Sequence, residues 1–389
     1  MVLEFALNDE QRMVQKTVRD FVQNELIPME QVMLQNEKEG RPAITDEQIR
    51  QLQEKAKKAG FWGINTPEEY GGADLDPIMT ALINIELGKT FVPFTFGGDT
   101  DSILFLCNEE QKKKYLLPSI SGERRACFAL TEPGAGSDAR NIKLSAVKDG
   151  NDWVLNGEKI FISRGLVADF AMVFAVTDKT GRGGVTCFLV DRELGWRSEP
   201  VRTMDDWAVA SLVFDNVRVP EENILGELNK GFELALKWIT KGRIKIGAWS
   251  VGTAERLQDM GIDYAKARVA FGHPISEYQA IQWMLADSAV EIEAAKLLVL
   301  QAAYLDKHNQ DPKRQQASIA KLYGSNMVNR VVDRVLQIHG GMGITKELPI
   351  ERWYRSVRKY RVFEGTDEIL RRTIAYNLLQ GHARVGSGL

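Results

Sequence analysis

The chain is predicted to be an α+β protein in three parts: an N-terminal helical domain over residues 1–121, a middle β-domain over 122–230, and a C-terminal, four-helix-bundle-like domain over 231–389. Three observations predict this. Apolar residues recur at three- and four-residue spacing up to about residue 120. From Gly122 to about Pro220, short alternating runs are separated by turn residues. After Gly231 helical periodicity returns and persists almost to the end.

The first helix is expected to start at Asn8 or Asp9 as its cap, and Met13, Val14, Val18, Phe21 and Val22 show its three- and four-residue apolar spacing. Thr66-Pro-Glu-Glu-Tyr-Gly-Gly-Ala73 breaks the region, and Pro77 suits the first position of the next helix. In the middle part, residues 171–176, 185–190 and 211–214 are the clearest strands. Asp149-Gly-Asn-Asp152 and Asn156-Gly157 read as tight turns, the first joining 144–147 to 153–155. Residues 277–308 and 312–338 each read as one long helix; two apolar faces fit a bundle, which subunits of an oligomer can share. The tail Gly386-Ser-Gly-Leu389 is expected to fray.

Composition narrows the function classes. With 44% hydrophobic and 26% charged residues, the 389-residue chain is ordinary for a globular protein. A formal charge of −3 gives no reason to expect nucleic acid, and the basic clusters 112–114 and 352–361 read as helix surfaces. Three cysteines (Cys107, Cys127, Cys187) without paired spacing argue against a disulfide framework and fit a reducing compartment. The four histidines form no zinc-like spacing with them, so no metal is expected. No apolar run reaches membrane-spanning length, and the N-terminus lacks a basic, apolar secretory leader. Cytoplasm is the expected compartment.

Three segments carry candidate chemistry. In Lys359-Tyr-Arg-Val-Phe-Glu-Gly-Thr-Asp-Glu-Ile369, Thr366 suits an N-cap, and Asp367 and Glu368 suit a helix first turn. Glu364 falls outside that helix, at a bend where Gly365 permits close approach of a ligand. Desolvation beside Val362 and Phe363 raises a carboxylate pKa, the condition for a general base; taken alone, such an acid is more often a solvated turn residue. Leu130-Thr-Glu-Pro-Gly-Ala-Gly-Ser-Asp138 is an irregular loop whose N–H groups suit an anion or a polar ring edge, or else a plain tight connection. In Asn156-Gly-Glu-Lys-Ile-Phe-Ile-Ser163, alternation puts Phe161 and Ser163 on one strand face. A ring and a hydroxyl there suit a flat cofactor, or equally a buried Phe beside a satisfied Ser.

Taken together, these motifs resemble the acyl-CoA dehydrogenase family, FAD-dependent enzymes that oxidise acyl-CoA thioesters to 2-enoyl-CoA. The resemblance spans essentially the whole chain: the opening Leu-Asn-Asp-Glu-Gln, Pro67-Glu-Glu-Tyr-Gly-Gly72, the 131–138 loop, Phe214-Asp-Asn-Val-Arg-Val-Pro220, Arg268-Val-Ala-Phe-Gly-His-Pro-Ile275, Gln337-Ile-His-Gly-Gly-Met-Gly343 and Phe363-Glu-Gly-Thr366. It implies an acyl-CoA dehydrogenase-like fold, with Glu364 as the catalytic base. It implies that Phe128, Leu130 and Thr131 line the flavin, that Phe161 takes the place of a Trp often beside the ring, and that Ser163 stands near flavin N5. Arg268, Phe271, Gln279, Gln337 and Gly341 match positions holding the FAD pyrophosphate and adenosine across a subunit interface. Thr366 and Glu368 fall where the family touches the dinucleotide, and Ser137, Arg243 and Gly365 at substrate contacts.

The implied reaction is α,β-dehydrogenation: Glu364 takes the α-proton while the β-hydrogen leaves as hydride to the flavin. An electron-transfer flavoprotein then accepts the electrons, and the assembly is a homotetramer. Two departures stand out. Gly242 and Thr240 stand where some members carry acids, leaving Glu364 as the sole expected base. Met204-Asp-Asp-Trp-Ala-Val-Ala210 departs from the usual wording before its strand. The alternatives are an acyl-CoA oxidase or a decarboxylating dehydrogenase on the same scaffold, or a non-catalytic assembly module. Residues 95–106, expected to line the acyl pocket, contain no Arg or Lys, which weighs against decarboxylation.

Overall fold

The computed structural model describes residues 7–97, 102–178, 184–205 and 208–386. Part of the 95–106 segment, part of 204–210 and the last three residues of the tail lie outside the described residues. The chain divides into two compact units, one of Met1–Phe61, Leu75–Thr95 and Thr240–Leu389, the other of Trp62–Asp74 and Phe96–Ile239.

The first unit is helical. Its early helices are α1 (Asp9–Phe21), α2 (Ile27–Lys38), α3 (Asp46–Lys58) and α4 (Pro77–Leu87). Asn8 caps α1 and exchanges hydrogen bonds with Gln11, a reciprocal box that satisfies two orphan donors. Asp76 caps α4, with Pro77 at its first position as the sequence predicted. Four long or site-bearing helices follow: α5 (Gly231–Ala267, assigned to this unit from Thr240), α6 (Gln279–Lys307), α7 (Lys313–His339) and α9 (Asp367–Leu379), with the shorter α8 (Ile350–Arg358) between the last two.

Their shared core is rich in small residues, including Ala248, Val251, Ala254, Ala295, Val299, Ala317, Ala320 and Val328. Small side chains let helices approach closely, and the glycines show how closely. A Cβ on Gly252 would sit 1.8 Å from the Ile85 carbonyl oxygen, and one on Gly88 would sit 2.5 Å from that of Trp249, so α4 crosses α5 backbone to backbone. Two buried acids of this unit are paired: Arg256 forks onto Glu30 at 2.8 and 3.0 Å, and Arg19 reaches the fully buried Glu86 at 2.8 Å.

The second unit is built on one sheet of β1 (Ala126–Ala129), β2 (Ser145–Asp149), β3 (Asp152–Ser163), β4 (Phe170–Asp178), β5 (Gly184–Asp191), β6 (Arg197–Val201), β7 (Val209–Pro220) and β8 (Ile224–Leu225). Strand order is β6-β7-β3-β2-β4-β5-β8, with β1 parallel to β4. Both faces of β4 are covered, which is why its sequence is a continuous apolar run. Ala171, Val173 and Ala175 join one core and Phe170, Met172 and Phe174 the other, following the two-residue period.

Asp149-Gly-Asn-Asp152 is the expected two-residue hairpin turn, with Gly150 at φ 63°. Asn156-Gly157 is not a turn. It lies inside β3, where the register with β7 shifts between Leu155 and Gly157. Glycine is needed there because a Cβ would fall 2.8 Å from the Leu144 Cα; the close strand contact, and not a reversal, selects it.

Candidate active site

The site residues fall into three groups, one in the β unit and two in the helical unit. In the β unit, a bulge sets the geometry. The register between β3 and β7 slips again between Lys159 and Ile162, and Phe161 takes a left-handed φ of 59°. Without the extra residue, Lys159 would share a face with Phe161 and Ser163. With it, Lys159 turns fully inward while Phe161 (58% exposed) and Ser163 face out.

The Lys159 ammonium donates to the Leu130 carbonyl at 2.9 Å and to Glu132 Oε1 at 2.8 Å. Glu132 also accepts from the Lys143 and Leu144 N–H groups at 2.6 and 2.9 Å. Burial pulls the Lys159 pKa down to about 8 against the opposing pull of Glu132. Ile160 N–H, inside the bulge, donates to the Thr131 carbonyl at 2.9 Å, which ties the Thr131 loop to the strand carrying Phe161.

Phe128, Leu130, Thr131, Phe161 and Ser163 are therefore held in one framework of β1, β3 and their loop. Ser137 lies further along that loop, exposed. The half-buried Phe128 ring stacks on Trp238 at 4.0 Å and 7°. Trp238, Lys159 and Glu132 were not read as site residues from sequence.

A second group gathers at one end of the helical unit. β9 (Val269–Ala270) and β10 (His273–Pro274) form a hairpin whose two-residue tip is Phe271-Gly272, at φ 52° and 89°. Such tips favour Asn-Gly; an aromatic residue there is strained, and Phe271 is 96% exposed. Tyr278 hydroxyl donates to the Ala270 carbonyl at 2.7 Å, which fixes the hairpin against the start of α6, where Gln279 is exposed. Tyr264 on α5 stacks on His339 at the end of α7 at 4.2 Å. Arg268, Phe271 and Gln279 thus share an end of the unit with Gln337 and Gly341. Arg268, Gln337 and Gly341 are all exposed, and a Cβ on Gly340 or Gly341 would meet nothing.

The third group surrounds Glu364. Thr366 caps α9, accepting from Ile369 N–H at 3.3 Å, with Glu368 exposed in the first turn. Just before it the chain bends through two left-handed residues, Glu364 (φ 56°) and Gly365 (φ 97°). Each carbonyl of the bend is held by a buried cation. Arg243 Nε on α5 donates to the Glu364 carbonyl at 3.1 Å and Lys321 Nζ on α7 to that of Gly365 at 2.7 Å. The Arg243 guanidinium also donates to the Ser318 hydroxyl at 3.0 Å.

The carboxylate of Glu364 lies against Gly242, whose absent Cβ would sit 2.9 Å from it. Asp367, buried under the bend, accepts from Arg361 at 2.9 Å and Asn326 at 3.1 Å. Burial lowers the Arg243 pKa to about 10 and the Lys321 pKa to about 8.

In the β unit, an exposed ring in strained backbone shares one framework with the hydroxyl residues Thr131 and Ser163, which suits a flat ring system. In the helical unit, taken by itself, an exposed guanidinium fork and glycines open to close approach suit a phosphate-bearing ligand. Among the described residues no cluster of three or more His, Cys, Asp or Glu could hold a metal, and no helix is long and apolar enough to cross a membrane.

The sequence matches the N-terminal, middle and C-terminal domain models of acyl-CoA dehydrogenase over residues 8–123, 127–217 and 229–379. The chain belongs to the acyl-CoA dehydrogenase family. It is an FAD-dependent oxidoreductase with that family's fold.

A 3-(aryl)acrylate reductase of Clostridium sporogenes is 38% identical over 384 residues, covering 96% of this chain and 99% of the relative. A caffeyl-CoA reductase-Etf complex subunit of Acetobacterium woodii is 36% identical over 385 residues, with the same coverage of 96% and 99%. Among solved structures, butyryl-CoA dehydrogenase of Megasphaera elsdenii superposes with a TM-score of 0.85 at 33% identity, covering 97% of this chain and 100% of that one. An acyl-CoA dehydrogenase of Bacillus anthracis complexed with FAD gives 0.83 at 32% identity, covering 98% of this chain and 69% of that one.

Proposed function

We propose that this acyl-CoA dehydrogenase converts an acyl-CoA thioester to its 2-enoyl-CoA with Glu364 as the base. The observation that carries the reading is the bend at 364–365: a carboxylate on left-handed backbone, both of whose carbonyls are tied to buried cations. Backbone so fixed gives the carboxylate a constant point from which to meet an α-proton. Bound FAD supplies the hydride acceptor. Phe161, Thr131 and Ser163 present a ring and two hydroxyls to it, and the Lys159–Glu132 pair keeps their loop and strand in register. Arg268, Phe271, Gln279, Gln337 and Gly341 serve its phosphate and adenosine end, and Thr366 and Glu368 the dinucleotide. Ser137, Arg243 and Gly365 are assigned to the substrate side, Arg243 acting through the bend it holds.

An acyl-CoA substrate and an electron-transfer flavoprotein partner are supported by the caffeyl-CoA reductase-Etf relative. A homotetramer is supported by exposed Trp283, Val290 and Leu297, seven residues apart along α6, an apolar stripe suited to a second copy. The same residues serve the reverse direction, with Glu364 returning the proton. The two reductase relatives favour including 2-enoyl and aryl-acrylyl thioesters among the substrates.

The test is anaerobic: flavin absorbance is followed while a panel of straight, branched and aromatic acyl-CoAs is added. Wild-type protein should bleach with one class, and Glu364→Gln should keep FAD but lose nearly all reduction. A Glu364→Gln variant that reduces at most of the wild-type rate refutes the base assignment.

A further inference from the structure

Lys321 is fully buried on α7, yet its hydrogen bond goes to a main-chain carbonyl, that of Gly365 at 2.7 Å. Burying an ammonium is costly, and an apolar side chain of similar length would fill the same space. Ser318, three residues earlier on the same face of α7, accepts from Arg243 at 3.0 Å, and Arg243 in turn holds the Glu364 carbonyl. One face of α7 therefore reaches both carbonyls of the bend, directly at 365 and through Arg243 at 364.

Left-handed backbone at a non-glycine residue is disfavoured by about 1 kcal/mol or more, so Glu364 holds this conformation only if something pins it. The charged groups around the Lys321 ammonium are Asp367 of α9 and Glu364 of the bend, which attract it, and Arg243 of α5 and Arg361 after α8, which repel it.

We propose that Lys321 is a positioning residue for proton transfer: with Arg243 it grips the Glu364–Gly365 bend by its two carbonyls and, as a cation, favours the ionised form of Glu364. The inference rests on reading Glu364 as the base. Arg243 alone would leave the Gly365 carbonyl without this donor and the bend free to rotate about residue 365, where glycine offers little resistance.

The experiment uses FAD-loaded protein and three variants, Lys321→Met, Lys321→Gln and Glu364→Gln, with limiting rates of anaerobic flavin reduction measured across pH. Lys321→Met should keep its FAD and its half-saturating substrate concentration within about threefold, while the limiting rate falls ~10- to 100-fold. The ascending limb of its pH profile should move to higher pH, because a cation that favoured the carboxylate is gone. Lys321→Gln retains a donor for the carbonyl without the charge, and should recover much of the rate while keeping the displaced profile.

A Lys321→Met protein with wild-type rate and profile overturns the proposal. If that variant does not fold, an unmoved profile in Lys321→Gln overturns it equally. Glu364→Gln separates the two layers. If it is inert while Lys321→Met is normal, only the Lys321 inference fails; if it remains active, the base assignment fails and the inference falls with it.

Discussion

Gly242→Ala adds one methyl group to α5 directly beside the Glu364 carboxylate. The added Cβ would lie 2.9 Å from both Cδ and Oε2 and 3.3 Å from Oε1. Restoring an ordinary contact of ~3.5 Å requires the carboxylate to retreat by about 0.6 Å. It is the end of a flexible side chain, so it can rotate away at little cost to the fold. Replacing a mid-helix glycine by alanine also favours the helix by up to about 1 kcal/mol. Stability should therefore be unchanged or slightly higher.

Catalysis should respond in the opposite sense. A misplacement of ~1 Å costs about 100-fold, so a 0.6 Å retreat should slow flavin reduction by roughly 10-fold or more. Stopped-flow anaerobic reduction at saturating substrate, with thermal melting on the same samples, measures both. Gly261→Ala on the same helix is the control: its Cβ would approach only apolar side chains, the nearest Val335 Cγ2 at 3.3 Å, and should leave the rate intact. If Gly242→Ala reduces as fast as wild type, Glu364 is not the group whose position limits the reaction.

Further expectations concern the buried charges and the apolar stripe. Lys321 has a folded-state pKa near 8 against an ordinary 10.5, so between those values the unfolded chain binds more protons and stability rises with pH. Relative to Lys321→Met, wild type should gain up to about 3 kcal/mol from pH 8 to 10.5 in chemical denaturation; a flat difference refutes the burial cost. Glu132→Gln leaves the Lys159 ammonium buried without its carboxylate and should cost ~3–5 kcal/mol, read as a lowered melting temperature with weakened FAD retention. Loss of less than 1 kcal/mol would show the pair to be dispensable. Val290→Asp on the α6 stripe should reduce the assembly seen by light scattering while leaving the helical circular dichroism signal in place; an unchanged mass places the subunit contact elsewhere.

Much of the fold was legible because burial writes a period into the sequence. The helical stripes need little beyond spacing, whereas β4, apolar on both faces, carries no alternation and is legible from its short length and β-branched residues. Asn156-Gly157 misled because the pair is locally a turn signal, whereas the deciding contact, Leu144, lies in a distant part of the sequence, just before β2. The bulge at 160–161 was invisible for a related reason: an extra residue exists only relative to the partner strand, here β7. Alternation put Phe161 and Ser163 on one face, and both are exposed, but it gave no sign that Lys159 would leave that face.

Glu364 could be singled out because an acid before glycine and a helix cap is a compact pattern. Its supports could not. Lys321 reads as a surface lysine on an amphipathic helix, and Trp238 as one more core aromatic, until the neighbours at 365 and 128 are placed beside them.

The crossing of α4 and α5 at Gly88 and Gly252 limits how this protein can diverge. Most packing contacts can drift gradually, one methylene at a time, with neighbours repacking. Where the Ile85 carbonyl oxygen would lie 1.8 Å from any side chain at 252, no such gradient exists, because the smallest step is already an overlap with backbone. Change is channelled to the residues around that point. The helix that carries Gly242 and Arg243 can be resurfaced, but it cannot be moved relative to α4 by single substitutions.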